Sequence, residues 1–180
     1  NNVNASATGS GSDYAFEVAY HNYTGTNCTL TIKNNTIVTT TPNTNAYNFG
    51  AFYVYYNGYG TNNTALIRKN NITASSGYYL YGTYMYGNFN AVIDSNNYTG
   101  TLTGSGGYCY VYGPAYYSES VKCKYNNFTF TDNTSYGYVY NYAPFDYNSG
   151  NSAADTMMYN TLTYNATNGG SYYNYQNYLG

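Results

Sequence analysis

An eight-residue pattern of apolar and polar positions recurs five times along the chain and gives its strongest structural signal. In each copy an apolar or sulfur-containing side chain stands in the third place, an asparagine in the sixth and an apolar or aromatic side chain in the eighth. The copies are LTIKNNTI, ALIRKNNI, AVIDSNNY, VKCKYNNF and DTMMYNTL, which begin at residues 30, 65, 91, 121 and 155. The intervals of 35, 26, 30 and 34 residues between these starts are typical of a repeat protein, in which insertions lengthen surface loops.

A second pattern, rich in tyrosine, lies between the copies of the first. It covers residues 16–23, 52–59, 78–86, 108–116, 136–145 and 172–178. Residues 15–35 align with residues 51–71 at a constant offset of 36 without a gap, so each repeat is expected to contain at least two extended segments. Both patterns alternate with a period of two and are bounded by Gly, Asn, Ser and Thr, which predicts strands.

These patterns predict an all-β fold with almost no helix. Because like residues recur at the same place in every repeat, we expect them to stack in columns of a parallel β-solenoid of about five coils. A β-sandwich is the alternative, since Asn57-Gly58 and Asn168-Gly169 are hairpin signals. We expect residues 13–180 to form one solenoid domain, preceded at 1–12 by a flexible polar lead or inter-subunit connector.

The sixth-place asparagines have a physical role in such a stack. A side-chain amide carries a donor and an acceptor, so each can bond the equivalent amide above and below, and can satisfy the turn backbone. Ordinary solvent-facing turn asparagines are the alternative interpretation. The predicted ladder consists of Asn35, Asn70, Asn96, Asn126 and Asn160.

The phrase apolar-x-apolar-x-x-Asn-x-apolar resembles the coil motif of right-handed parallel β-helix proteins, over about residues 16–178. The segments TIKNNTI at 31–37 and NNFTFTDN at 126–133 are similar to the Asn- and Thr-rich adhesin-like surface proteins of archaea. The resemblance implies the fold much more than the activity. The chain differs from that group in its tyrosine content and in its last repeat, where Asp155 enters an apolar place and Tyr159 precedes the asparagine.

Charge is scarce in this chain. Charged residues make up 7% of it, the formal net charge is −2, and the five Lys and Arg residues form no large cluster. This composition argues against a nucleic-acid or anionic membrane partner. No stretch approaches the roughly 18 apolar residues of a membrane span, and no secretory signal opens the sequence, so we expect a mature or excised piece.

Asn-x-Ser/Thr acceptors for N-glycosylation occur ten times, which favours an extracellular, cell-surface location. Three of them share the seventh place of the repeat, which is on the opposite face of a strand from the sixth. Crowding one coil apart is expected to leave the middle one of these three bare. The candidates are Asn4, Asn22, Asn27, Asn34, Asn62, Asn71, Asn97, Asn127, Asn133 and Asn165.

The residues needed for catalysis do not converge in this pattern. No two of the seven carboxylates share a place in adjacent repeats, and the single histidine, His21, is expected to fill a turn. Arg68, Asp94 and Lys124 share the fourth place and predict a surface charge stack. We therefore expect no enzyme, no cofactor and no metal, with a polysaccharide lyase or hydrolase as the distant alternative that the β-helix resemblance implies.

Tyrosine is the remaining resource for binding. Tyrosines in register on an outer face would form a stripe able to stack on sugars or on a neighbouring fibre, although half of them are expected to fill the core. The predicted stripe consists of Tyr53, Tyr79, Tyr81, Tyr108, Tyr110, Tyr138 and Tyr173. Cys123 is interpreted as a buried small hydrophobe, with a Cys109–Cys123 disulfide as the alternative.

The sequence thus predicts a structural, N-glycosylated surface glycoprotein. It is expected to self-associate end to end into a cell-surface filament or sheath, because little in the chain caps the ends of a solenoid. A carbohydrate-binding adhesin module is the alternative.

Overall fold

A computed structural model gives the architecture of the chain. It describes residues 1–6, 12–13, 16–19, 26–27, 29–41, 47–48, 52–55, 62–77, 79–81, 84–86, 89–103, 109–112, 120–133, 138–142, 147–148, 156–166, 171–175 and 178–179. Within these residues every regular element is a β-strand, and no helix is long and apolar enough to span a membrane.

The described chain forms 22 short strands. In chain order they are β1 Asn2–Ser6, β2 Ser12–Asp13, β3 Phe16–Ala19, β4 Thr29–Lys33, β5 Thr36–Thr41, β6 Tyr47–Asn48, β7 Phe52–Tyr55, β8 Asn63–Arg68, β9 Asn71–Ser76, β10 Tyr79–Tyr81, β11 Tyr84–Tyr86, β12 Phe89–Asp94, β13 Asn97–Leu102, β14 Cys109–Tyr112, β15 Ser120–Lys124, β16 Asn127–Asp132, β17 Tyr138–Tyr142, β18 Tyr147–Asn148, β19 Thr156–Met158, β20 Thr161–Ala166, β21 Ser171–Tyr175 and β22 Tyr178–Leu179. β-Branched and aromatic residues dominate many of them, as expected of strands.

The strands assemble into five sheets. Sheet 1 has the order β1-β5-β9-β13-β16-β20, sheet 2 β2-β6-β10-β14-β17-β21, sheet 3 β11-β7-β3, sheet 4 β19-β15-β12-β8-β4 and sheet 5 β18-β22. All pairings between these described strands are parallel, and each strand pairs with its equivalent in the neighbouring repeat. The predicted all-β, repeat-like organisation is confirmed. Both predicted hairpin signals, at 57–58 and 168–169, lie outside the described residues.

Backbone register aligns the third and eighth places of the eight-residue pattern. In sheet 4, Ile67 pairs with both Ile32 and Ile93, and the column continues through Cys123 to Met157. In sheet 1 the eighth-place column runs through Ile37, Ile72, Tyr98, Phe128 and Leu162. Apolar, aromatic or sulfur-containing side chains therefore stand in register across each of these strand pairs.

The gapless offset of 36 between the first two repeats is wrong beyond their first strands. Phe16 pairs with Phe52 at that offset, but Ile32 pairs with Ile67 at an offset of 35. One residue fewer therefore separates the two strands in the second repeat. Side chains alternate between the two faces of a strand, so a shift of one residue changes which face each one occupies. An offset of 36 would place Leu30 opposite Leu66, and the inward-facing positions of one strand would meet the outward-facing positions of the other.

The core is formed by the buried faces of sheets 1 and 4, whose strands alternate between buried and more exposed positions. Tyr98, Phe128 and Phe130 are its largest fully buried side chains in the described chain. The Tyr98 ring centroid lies 6.3 Å from that of Phe128 and 5.5 Å from that of Phe130, in tilted arrangements. In the eighth-place column Tyr98 and Phe128 take the place that isoleucine fills in earlier repeats, whereas Phe130 stands opposite Gly100.

Residues 1–12 were expected to be a flexible polar lead or inter-subunit connector, and within this range Asn2–Ser6 forms a strand of sheet 1. Strand β1 pairs in parallel with β5 from Asn2 opposite Thr36 to Ser6 opposite Thr40. Val3 pairs with Ile37 and so continues the eighth-place column. The polar composition of this segment did not indicate a strand, because only alternate residues of a half-exposed strand need to be apolar.

Candidate functional site

A short turn joins sheet 4 to sheet 1 in every repeat, and its first residue has a left-handed backbone conformation. This residue occupies the fifth place of the pattern, where φ lies between 53° and 57°. The five residues are Asn34, Lys69, Ser95, Tyr125 and Tyr159. Positive φ is tolerated by asparagine but costs roughly 1–3 kcal/mol for other non-glycine residues. Every repeat therefore makes the same bend, whatever residue stands there.

The asparagine that follows each bend belongs to an inner amide row, defined as Asn35, Asn70, Asn96, Asn126 and Asn160. Nδ2 of each of the first four donates to Oδ1 of the next asparagine in the row at 3.0 Å, and Nδ2 of Asn160 donates to the carbonyl oxygen of Cys123 at 2.8 Å. The same Oδ1 accepts the main-chain N–H of the preceding asparagine at 2.9–3.0 Å. Each link of the row is therefore made twice, once by the side chain and once by the backbone.

The second proton of the amide also has a partner. Nδ2 of Asn70, Asn96 and Asn126 donates to the carbonyl oxygens of Ile32, Ile67 and Ile93 at 2.9–3.1 Å. These three amides are 2–4% exposed. A buried polar group is costly unless its hydrogen bonds are satisfied, and here both the donor and the acceptor side of each amide are used.

Asn1 extends the inner amide row by one member. Its Nδ2 donates to Asn35 Oδ1 at 3.2 Å, and its carbonyl oxygen accepts the N–H of Thr36 at 2.8 Å. The prediction of a polar lead missed this residue. The available signal was the run Asn1-Asn2-Val3, which matches places six to eight of the repeat.

An outer amide row lies one residue further along each strand and consists of Asn71, Asn97 and Asn127. Nδ2 of Asn127 donates to Asn97 Oδ1, and Nδ2 of Asn97 donates to Asn71 Oδ1, each at 2.9 Å. All three side chains are exposed. Their amides thus bond one another at the surface while remaining accessible from solvent.

Candidate glycosylation acceptors concentrate on the outward face of sheet 1. Besides the outer amide row, Asn4 and Asn165 project from this face, and both are exposed. Four other candidates are also exposed: Asn27, Asn34 and Asn62, which have positive φ, and Asn133, which follows β16. Asn22 lies outside the described residues.

The outward face of sheet 1 is polar and uncharged. Its positions are occupied by Asn, Thr and Ser, with Val38 as the exception. They are Asn2, Asn4, Ser6, Thr36, Val38, Thr40, Asn71, Thr73, Ser75, Asn97, Thr99, Thr101, Asn127, Thr129, Thr131, Thr161, Thr163 and Asn165. Tyrosine is absent from these described positions although the chain contains 31.

The fourth place of the pattern brings the charged residues together in sheet 4. Asp94 pairs in register with Arg68 on one side and Lys124 on the other. Its Oδ2 accepts from Nε and Nη2 of Arg68 at 2.9 and 2.8 Å, and its Oδ1 accepts the hydroxyl of Ser95 at 3.0 Å. Because the Arg68 side chain is 48% exposed, this pair adds little stability.

The predicted tyrosine stripe divides among different columns. Register places Tyr79, Tyr110 and Tyr173 in one column of sheet 2, in which Tyr47 and Tyr140 also stand. Tyr81 stands in a second column of that sheet with Tyr112, Tyr142 and Tyr175. Tyr138 pairs with Ser171, and Tyr53 belongs to sheet 3. Tyr108 lies outside the described residues.

A pair of exposed tyrosines stands instead at the bends. The rings of Tyr125 and Tyr159 are stacked with centroids 5.1 Å apart and an interplanar angle of 9°. Tyr125 is 58% exposed and Tyr159 is 68% exposed. Sequence reasoning treated Tyr159 as a sign of a degraded repeat, although its equivalence to Tyr125 in the fifth place was visible.

Cys123 is a fully buried thiol in the third-place column. Its sulfur lies 3.8 Å from Asn160 Oδ1 and accepts from Asn126 Nδ2 at 3.3 Å, so it contacts the inner amide row. The side chain of Cys109, the other half of the alternative disulfide, lies outside the described residues, as do Cys28 and His21.

Titratable groups do not form a catalytic constellation in the part of the chain that the structure describes. No group of three or more His, Cys, Asp or Glu side chains among these residues could hold a metal ion. Burial raises the pKa of Tyr98 far above its usual value, because an ionised phenolate would lose its hydration.

Comparison with known proteins identifies no relative. No protein-family model, no curated protein and no solved structure matches the chain. The structural features that bear on its function are the amide rows, the uncharged face and the tyrosine pair.

Proposed function

We propose that this chain is a structural module of an extracellular, N-glycosylated surface protein, folded as a parallel β-helix of about five coils and assembled end to end into a filament or sheath. The observation that carries the proposal is the inner amide row, which continues from Asn1 to Asn160 with the same side-chain amide hydrogen bond at each step. A motif that repeats without change along an axis is suited to extension along that axis.

The order of the strands supports a coil. From β4 onwards each repeat contributes one strand to sheet 4, then one to sheet 1, then one to sheet 2 before the next repeat begins. Each new strand pairs in parallel with its predecessor in the same sheet. Parallel neighbours one turn apart are the connectivity that a β-helix requires.

The exposure of the last repeat supports end-to-end contact. In the eighth-place column Ile37, Ile72, Tyr98 and Phe128 are 0–3% exposed, whereas Leu162 is half-buried. Among the described strands β20 stands at the edge of sheet 1, and a strand edge of this kind can pair with another strand. A second copy stacked there would cover Leu162 and pair with β20.

The glycosylated, extracellular part of the proposal rests on the acceptor asparagines. Five candidates project from the outward face of sheet 1, where nothing but Asn, Thr, Ser and Val38 competes for space. Sugars on this face would leave the stacking edges uncovered. The low charge of the chain, 7%, gives it little solubility of its own, which attached glycans would supply.

Sedimentation of two variants, each with one added lysine, tests the assembly. In the variant Leu162→Lys a cation stands at the end of the core, so stacking of a second copy would bury an unpaired charge. The matched control, Thr163→Lys, carries the same charge on the same strand but faces outward. We expect fibres or oligomers from wild type and T163K, and monomers from L162K, with unchanged circular dichroism. Monomeric wild type, or equal assembly of both variants, contradicts the proposal.

A further inference from the structure

Beside the tyrosine pair the fifth-place column changes from a large side chain to a small one, and the space above the small one is called the gap below. Tyr159 covers one face of the Tyr125 ring at 5.1 Å, so the opposite face is turned toward the preceding bend. At that bend the residue is Ser95, whose side chain is too small to cover a ring. Tyr125 is accordingly 58% exposed although another aromatic ring is stacked on it.

Polar groups surround this gap. Ser95 Oγ donates to Asp94 Oδ1 at 3.0 Å, and Asp94 Oδ2 accepts from Arg68. Lys69 occupies the next bend of the same column and is exposed. The fourth and fifth places beside Tyr125 thus offer a hydroxyl, a carboxylate and two cations, all on strand ends or tight bends.

The backbone at this place determines where the two rings point. Tyr125 and Tyr159 both have a positive φ, of 55° and 57°, in positions where glycine or asparagine would avoid the steric cost. The same bend recurs in every repeat, so superposition of the bends brings the two rings together. Here the strained bend directs two rings outward instead of into the core.

We propose that this gap, the Tyr125 notch formed by Arg68, Lys69, Asp94, Ser95 and Tyr125, binds one ring of a neutral β-linked hexopyranose chain. A pyranose whose hydroxyls are all equatorial presents axial C–H groups on its faces, and these match the negative face of an aromatic ring. Its hydroxyls would meet Ser95, Asp94 and Arg68 at the edge. Because Asp94 and Arg68 are paired with each other, they offer hydrogen bonds without requiring a charged ligand.

Carbohydrate binding at this place does not depend on the proposed filament. The notch lies at the bends between sheets 4 and 1, whereas stacking would use the strand edges of the terminal repeat. Neither does it use the sheet 2 tyrosines of the predicted stripe. The proposal would stand for a monomeric protein as well.

The test uses cellohexaose as the probe and substitutions that should not harm folding. Asparagine is well tolerated at positive φ, so Tyr125→Asn removes the ring while relieving backbone strain. We expect calorimetric affinity to fall between about twofold and tenfold, the usual effect of one stacking partner, with an unchanged or raised Tm. Tyr125→Phe keeps the ring and should retain most of the affinity.

A second variant closes the notch. Ser95→Tyr would place a third ring on the stack, where the sugar is expected to lie, and should abolish binding. Ser95→Asn is its control, since it keeps a small polar side chain at the same bend. Amide chemical shifts in the wild type should move at residues 94–96 and 124–126 on titration. Absence of wild-type binding, equal affinity of Y125N and wild type, or retained binding by S95Y would each overturn the proposal. So would a Y125N effect on self-association without one on sugar affinity.

Discussion

Asn96 and Asn97 are adjacent in the chain, but their side-chain amides donate in opposite directions along the stack of strands. Asn96 donates to Asn126 in the following repeat at 3.0 Å, whereas Asn97 donates to Asn71 in the preceding repeat at 2.9 Å. The inner and outer amide rows therefore run antiparallel. The buried row differs from the exposed one in that the backbone fixes its direction, through Asn70 N–H and Ile67 C=O.

The inner row should dominate stability. In Asn96→Ala, three buried groups lose a partner: the main-chain and one side-chain N–H of Asn70, and the carbonyl of Ile67. At about 1–3 kcal/mol for each unsatisfied group, we expect unfolding free energy to fall by roughly 3 kcal/mol or more. Chemical unfolding followed by circular dichroism measures it. Asn97→Ala, in the exposed row, should change stability by no more than about 0.5 kcal/mol. Equal losses in both variants would show that the buried row is not special.

The positive φ at the bends predicts a stabilising substitution. Ser95 has φ 55°, so Ser95→Gly should stabilise the fold by about 1 kcal/mol despite the loss of an exposed hydrogen bond to Asp94. For a chain of this size that corresponds to a rise in Tm of about 2–4 °C in a thermal melt. Thr99→Gly, in an extended strand, is the control and should lower the Tm. A lower Tm for S95G would refute the assigned backbone conformation.

Alkaline pH should destabilise the protein through Tyr98. Burial raises its folded-state pKa above the unfolded value, so the folded state holds its proton while the unfolded state releases it. This contribution is fully present below about pH 10 and declines above it, by up to about 1.4 kcal/mol per pH unit. Unfolding free energy measured from about pH 8 to about pH 11 should therefore fall less steeply in Tyr98→Phe than in wild type. The substitution also changes packing, so the two proteins are compared by the slope of unfolding free energy against pH and not by its absolute value. Identical slopes would contradict the prediction.

Glycan occupancy should follow the spacing of the outer amide row. Strands in a sheet are about 4.8 Å apart, which is narrower than a hexose with its hydroxyls, so neighbouring asparagines compete for space. Site-resolved glycopeptide mapping of native material should find sugars on Asn71 and Asn127 and a bare Asn97. In the double variant N71Q/N127Q, Asn97 should become occupied. Sugars on all three asparagines in wild type would contradict the prediction that crowding limits occupancy. An unmodified row beside modified Asn34 and Asn133 would mean that the outward face of sheet 1 does not carry the glycans.

The columns of the repeat were predictable because they depend on residue type. An isoleucine meets an isoleucine, and an asparagine meets an asparagine, so Ile32 and Asn35 could be assigned to their places from the sequence. Strand β1 was harder to recognise because Val3 and Ala5 are the only apolar residues in it. Its role depends on Asn1 completing the hydrogen bonds of Asn35, a contact 34 residues apart in sequence.

The Tyr125 notch could not be predicted from composition or alternation. The fifth place holds Asn, Lys, Ser and Tyr in different repeats, so no column of like residues marks it. These residues share a backbone conformation. The sequence indicates that conformation only where glycine or asparagine is used. The stacked rings follow from two bends being superimposed, and the gap follows from Ser95 preceding them.

Cryo-electron microscopy of the purified native protein tests the central claim most directly, because it reports coil, register and assembly together. The account predicts fibres with an axial subunit repeat of about 29 Å, which is the six strands of sheet 1 at about 4.8 Å each, with strands perpendicular to the fibre axis. Inside the fibre, density for an unbroken row of asparagine side chains should run along one corner. Discrete monomers, or strands that pair antiparallel, would contradict it.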